Sequence, residues 1–141
     1  MFSNILVPVD GSDNSYRALE AALVLSENLE SNVTAIHVME QIPITHIESE
    51  KLLNELLTAH KKESQAILSK CSEIARQKGL NIKTILLQGN PTSIILGFSK
   101  NEKFDLVIMG SRGRGVFKEL ILGSLSNKIL HHSPCAVMII R

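Results

Sequence analysis

The chain has 141 residues, enough for one ordinary domain and too few for two comfortable ones. With 44% apolar and 21% charged residues it reads as a folded core, not as a disordered chain. Fifteen Lys plus Arg against fourteen Asp plus Glu leave a formal charge of +1, and aromatics make up 4% with no Trp. A polyanion-binding surface is thereby excluded as the dominant feature, and little is available to stack single-stranded bases, so no nucleic-acid partner is expected.

In chain order, Asn4 to Val9 (NILVPV) is a short buried strand running into the turn and cap residues Asp10-Gly11-Ser12-Asp13-Asn14. Tyr16 to Leu29 follows as a helix, with Leu19, Ala22, Leu23, Ser26 and Leu29 forming its buried stripe. Asn32 to Val38 is the second strand, and a loop containing Pro43 leads to a long helix from about Ile47 to Lys78. That helix is expected to bury Leu53, Leu56, Leu57, Ile67, Cys71, Ile74 and Ala75 on one face and to stop at Gly79.

Asn81 to Leu87 is the third strand, and Pro91 opens a helix running to about Asn101. Phe104 to Met109 is the fourth strand, followed by a glycine-rich, basic segment from Gly110 to Leu122. Ser124 to His132 reads as a short helix and Cys135 to Ile140 as a fifth strand. Strands alternating with helices predict an α/β fold: one doubly wound, open sheet of five parallel strands in the order 3-2-1-4-5, with helices on both faces. The whole chain, 1–141, is expected to be a single domain. Met1 to Asp10 reads as a strand and not as a secretory leader. No apolar run approaches the roughly twenty residues that span a bilayer, so no membrane partner is expected. Cys71 and Cys135 lie far apart, which fits a reduced, cytoplasmic protein.

In such a sheet, ligands bind beyond the carboxyl ends of the strands, where the winding direction reverses. The order 3-2-1-4-5 makes the first and fourth strands neighbours there. It sets Asp10-Gly11-Ser12 opposite Gly110-Ser111-Arg112-Gly113. Gly110 and Gly113 would let backbone amides approach an anion and would permit positive φ. Gly123 and Ser124, nine residues on, would present free amides at a helix N-terminus, with the Ser124 and Ser126 hydroxyls as further donors. Arg112, Arg114 and Lys118 would supply outer charge. No Walker loop is present, and Gly113-Arg114-Gly115 meets Lys118 where the dinucleotide fingerprint needs its third glycine.

The spacing G-2x-G-9x-G-[ST], together with Ile5-Leu-Val-Pro-Val-Asp-Gly-Ser12 and Ser133-Pro-Cys-Ala-Val-Met-Ile-Ile140, resembles the ATP-binding branch of the universal stress protein family over the whole chain. The resemblance implies a nucleotide lying along Pro8, Val9 and Asp10, with Asp10 near the ribose or a phosphate-bound Mg. It implies adenine against Val38, closure of the pocket by Met109 beside Gly110, and phosphates held by Gly113, Gly123, Ser124, Leu125 and Ser126. Arg112 stands at a variable position of the motif. The bound group would be ATP, or ADP or AMP. The resemblance also implies a homodimer paired through the last strand and a role in stress survival and signalling without one defined reaction.

Other readings of the same residues stay open. Asp10 also fits a turn former capping the first helix. The apolar last strand also fits a nucleotide-independent dimeric interaction module, since exposed edges of that kind are usually paired. A slow Mg-dependent ATPase is a third reading. Catalysis needs a positioned base, and only Glu119, inside the glycine segment, joins Asp10 as a candidate. Nucleotide binding without dedicated turnover is therefore expected, with nucleotide ordering the Gly110 to Leu122 segment so that it presents a surface to a partner protein. His131, His132 and Cys135 lack zinc-site spacing, and two histidines suit the negative end of a helix. His37 is expected to face the crevice or a helix, and His46 and His60 to be surface residues. Cys71 and Cys135 are expected to pack in the core, and Tyr16 to lie on a helix surface or groove.

Overall fold

The computed structural model describes residues 1–42, 48–113 and 121–141. The strands are β1 (Asn4–Pro8), β2 (Asn32–Met39), β3 (Lys83–Gln88), β4 (Leu106–Gly110) and β5 (Ala136–Ile140). They form one parallel sheet in the order β3-β2-β1-β4-β5, as the alternation of elements predicts. The helices are α1 (Asp13–Leu29), α2 (Glu50–Gln77), α3 (Pro91–Asn101) and α4 (Ser124–His132).

Chain order dictates which face each helix covers. The path from β1 through β2 to β3 moves one way across the sheet, and right-handed crossovers place α1 and α2 on one face. The path from β3 to β4 reverses direction past β1, so α3 and α4 cover the other. Two cores result. Ile5, Val7, Val33, Ala35 and Ile108 meet Leu19, Leu23, Ile67 and Cys71 on the first face. Leu6, Ile36, Val107 and Met109 meet Ile95 and Ile129 on the second. The central strands alternate between the two cores, so they read as unbroken apolar runs.

Helix ends follow local chemistry. Ser12 caps α1, its hydroxyl accepting from the Ser15 amide, and Asp13 supplies a negative charge in the first turn. Gly79 (φ 72°) ends α2: its amide donates to the Arg76 carbonyl and that of Leu80 to Ala75, the paired bonds of a Schellman stop. Asn90 caps α3 through the Ser93 amide, with Pro91 in its first turn.

Two apolar stripes differ from expectation. Leu56 and Leu57 are each 40% exposed, and burial on α2 is confined to its second half, from Ser64 to Ala75. The 28-residue helix is long for the short strands it packs on, and among the described residues none buries its first half. Leu29 at the end of α1 is also exposed, while Ser15 and Ala18 fill the start of its buried stripe. Among the described residues no helix is long and apolar enough to cross a membrane.

Candidate functional site

At the carboxyl ends of β1, β2 and β4 the sheet opens into a cleft of about 780 Å³, within the size range of small-molecule sites. Its walls come from the ends of those strands, the middle of α2 (His60, Glu63, Ser64, Ile67) and the starts of α3 and α4. All twelve residues singled out in the sequence line it: Pro8, Val9, Asp10, Val38, Met109, Gly110, Arg112, Gly113, Gly123, Ser124, Leu125 and Ser126. A separate depression on the exposed half of α2, lined by Glu50, Lys51, Asn54, Glu55, Thr58 and Ala59, contains none of them.

The floor is built by short local bonds. Asp10 Oδ1 accepts from the amide of Ser12 (2.9 Å) and from its hydroxyl, which orients the carboxylate and starts α1. The turn-forming and cleft-lining readings of Asp10 therefore describe the same residue. Gly11 takes φ 87°, which lets the chain leave β1 and enter the helix within two residues. Opposite Asp10 stands Gly113, where a Cβ would lie 2.5 Å from Asp10 Oδ2. A Cβ at Gly110 would run into the Asn14 carboxamide. Neither Gly110 nor Gly113 adopts positive φ. These two glycines serve close approach, not the left-handed backbone the sequence suggested.

The anion end also departs from expectation in two bonds. The Gly123 amide is not free, since it donates to the Ser111 carbonyl at 2.6 Å. The Ser126 hydroxyl turns inward, donating to the Ser111 carbonyl (2.8 Å) with the Gly110 carbonyl at 3.1 Å. Both groups brace the turn after β4. What α4 does present is an N-terminus without a side-chain cap, because its N-cap is Gly123. The first amides of the helix then face the cleft with the positive end of its dipole. Arg112 joins this end, and Lys128, one turn above Ser124, adds a second cation.

The opposite end, formed by β2 and α2, carries Glu40, Glu63, His37 and His60. His37 Nδ1 lies 2.8 Å from the Val9 carbonyl. A carbonyl only accepts, so Nδ1 carries a proton. His60 is not a plain surface residue: it lines the cleft, its Nε2 donating to the Glu40 carbonyl at 3.2 Å. The cleft is thus cationic at its β4–α4 end and acidic at its β2–α2 end. Among the described residues no cluster of three His, Cys, Asp or Glu side chains could hold a metal ion.

His60 and Lys128 line the cleft and were missed by sequence reasoning, as was Asn14, which does not line it but bonds to Arg112 on its wall. Asn14 sits in the first turn of α1, where an Asn reads only as turn chemistry. His60 lies mid-helix, twenty residues beyond Glu40, and only the packing of α2 on β2 brings it to the cleft. Lys128 had a legible signal, since Ser124 and Lys128 share a helix face at i, i+4. Arg114, Lys118, Glu119 and His46, and most of the Gly110 to Leu122 segment, lie outside the described residues. His131 and His132 occupy the last turn of α4. Cys71 is fully buried and Cys135 packs against the second core. Tyr16 is partly buried on the first face, with Lys70 Nζ 4.3 Å above its ring.

Comparison with known proteins places this geometry. The family model described as the universal stress protein family matches residues 1–141. The universal stress protein YxiE of Bacillus subtilis is 35% identical over 148 residues, covering all of both chains. The solved structure of universal stress protein UspA from Lactobacillus plantarum superposes with a TM-score of 0.88 at 27% identity, over 99% of this chain and 98% of that one. A family protein from Arabidopsis thaliana, solved with AMP bound, shares the fold at a TM-score of 0.72 and 21% identity, over 98% of this chain and 90% of that one. With its strand order, its cleft at the switch point and a family match from end to end, the chain belongs to the universal stress protein family.

Proposed function

We propose that this chain binds ATP, with its Mg²⁺, in the cleft at the ends of β1 and β4 and acts as a nucleotide-responsive regulator without a dedicated reaction. The observation that carries the reading is the uncapped N-terminus of α4, aimed at a cleft whose wall opposite Asp10 has no room for a side chain. Backbone amides and a helix dipole suit phosphate oxygens, and Arg112 and Lys128 add charge at the same end. The apolar wall of Ile36, Val38, Ile95 and Met109 suits the flat base, with the ribose between it and Asp10. AMP in the Arabidopsis thaliana protein agrees with the ligand class, through a likeness of fold.

The ligand chemistry fits the donor set. Mg²⁺ would neutralise the β and γ phosphates, and Asp10 is the carboxylate placed to accept from its water shell. Among the described lining residues the other carboxylates, Glu40 and Glu63, belong to the β2–α2 end and not to the β4–α4 end that suits the phosphates. That distribution supports binding without a positioned general base.

A second element of the reading is a homodimer through β5. This strand is a sheet edge with Met138 36% exposed and Val137, Ile139 and Ile140 only partly covered. An apolar edge of this kind favours pairing with a second copy about a two-fold axis. The exposed edge equally suits an interaction module that ignores nucleotide, and ligand binding separates the two. The purified chain is denatured and any released nucleotide identified, then the native chain is melted with and without Mg·ATP. Release of an adenine nucleotide, or a rise in Tm with Mg·ATP, supports the reading. The absence of both, with no nucleotide released and no rise in Tm at millimolar Mg·ATP, defeats it.

A further inference from the structure

Asn14 lies outside the glycine motif and does not itself line the cleft, yet it ties α1 to the turn after β4 and to the end of β5. Its Oδ1 accepts from the Arg112 amide at 3.0 Å, and its Nδ2 donates to the Ile140 carbonyl at 3.2 Å. The same Ile140 carbonyl accepts from the Ser111 amide at 2.8 Å. Gly110 completes the arrangement: any side chain there would occupy the space of the Asn14 carboxamide. The turn carrying Arg112 and Gly113 is therefore held on one side by Asn14 from α1. On the other side Ser126 and Gly123 hold it from α4, through the Ser111 carbonyl.

Chemistry restricts what can stand at position 14. The carboxamide is a donor and an acceptor on one short, flat group, so it can answer an amide and a carbonyl at once. A carboxylate offers no donor to Ile140, and an aliphatic side chain offers neither partner. Asn14 is half-buried beneath the turn, so its partners cannot simply exchange it for bulk water.

We propose that Asn14 is a positioning residue for phosphate binding: by holding the Arg112 amide it sets the turn so that the next amide, that of Gly113, meets the phosphate groups of the nucleotide. The inference rests on the nucleotide reading and deepens it, because it separates the part of the ligand that Asn14 serves from the part it does not. Phosphates lie at the turn that Asn14 holds. The base and ribose lie toward β2, which Asn14 does not touch.

The test measures affinity for Mg·ATP and for adenosine by calorimetry, in the full chain and in Asn14→Ala. ATP affinity is expected to fall about tenfold, the weight of one or two lost hydrogen bonds acting through the turn. Adenosine affinity is expected to change less than about twofold. Gly110→Ala in the parent should produce the same split between ATP and adenosine, because its methyl evicts Asn14 from its seat. In the Asn14→Ala background the same change should add clearly less than it costs in the parent, since the carboxamide is gone and only the backbone carbon of residue 14, at 3.1 Å, remains close. A parent that binds no Mg·ATP overturns the nucleotide reading and this inference with it. A parent that binds, while Asn14→Ala loses nothing or loses ATP and adenosine equally, overturns the inference alone. Additive losses from Gly110→Ala and Asn14→Ala also overturn it.

Discussion

Replacing Gly113 by alanine isolates the role of close backbone approach in the cleft. The new methyl carbon would sit 2.5 Å from Asp10 Oδ2 and 3.7 Å from its Cγ. That is roughly 1 Å short of ordinary van der Waals separation. Gly113 does not occupy positive φ, so alanine imposes no backbone strain there, and the fold should stand. Either the Asp10 carboxylate or the Gly113 amide must therefore move by about an ångström. Displacements of that order cost up to about a hundredfold where geometry is tight. At a hundredfold excess of Mg·ATP over Kd the parent gains about 2.7 kcal/mol, and a hundredfold weaker variant at the same concentration gains about 0.4 kcal/mol. For a domain of this size each kcal/mol shifts Tm by roughly 4 °C. Differential scanning fluorimetry should therefore show a rise of about 10 °C in the parent and about 2 °C in Gly113→Ala, with the ligand-free Tm nearly unchanged. An equal rise in both proteins would refute the close-approach argument.

Other consequences are open to simple assays. Met138→Lys puts a charge on the β5 edge and should convert a dimer to monomer in sedimentation analysis at micromolar concentration; an unchanged sedimentation coefficient would remove β5 from the interface. Burial pushes the Cys71 thiol up to about 12, against the opposing pull of the Lys70 charge. The native state then keeps a proton that the unfolded chain releases near pH 9. Cys71 thus contributes stability that is complete below pH 9 and is lost between pH 9 and 12, at up to about 1.4 kcal/mol per pH unit. Urea melts should show this slope in the parent and lose it in Cys71→Ala; identical slopes would contradict it. Leu19→Ala, in the first core, should cost about 2–5 kcal/mol, whereas Leu56→Ala, on the exposed half of α2, should stay within about 0.5 kcal/mol. Comparable losses at the two positions would mean that α2 has a partner along its first half.

The readable parts of the molecule were those governed by local chemistry or by the handedness of crossovers. Alternating strands and helices predict the strand order and set Asp10 opposite Gly110, Arg112, Gly113, Gly123, Ser124 and Ser126, whereas Pro8, Val9, Val38, Met109 and Leu125 come to the same cleft through the resemblance to the universal stress protein family. The hydrogen bonds at the anion end were not readable. Serine in the first turn of a helix offers a hydroxyl to ligand or to backbone with equal ease, and only the position of the Ser111 carbonyl turns Ser126 inward. Gly110 and Gly113 are ambiguous in the same way. A glycine is needed both for positive φ and for missing volume, and the choice depends on Asn14 and Asp10, which are distant in sequence. The leucines of α2 misled because periodicity reports that a face is apolar, not that something lies beneath it. Leu56 and Leu57 carry the apolar pattern into the exposed half of the helix.

Amide chemical-shift mapping on titration with Mg·ATP tests ligand, site and orientation together. The account predicts saturable perturbations that are largest at Gly113, Ser124, Leu125 and Ser126, with a second group at Val38, and none along Glu50 to Ala59 of α2. No perturbation at millimolar Mg·ATP, or a set centred on Glu50 to Ala59, would contradict it.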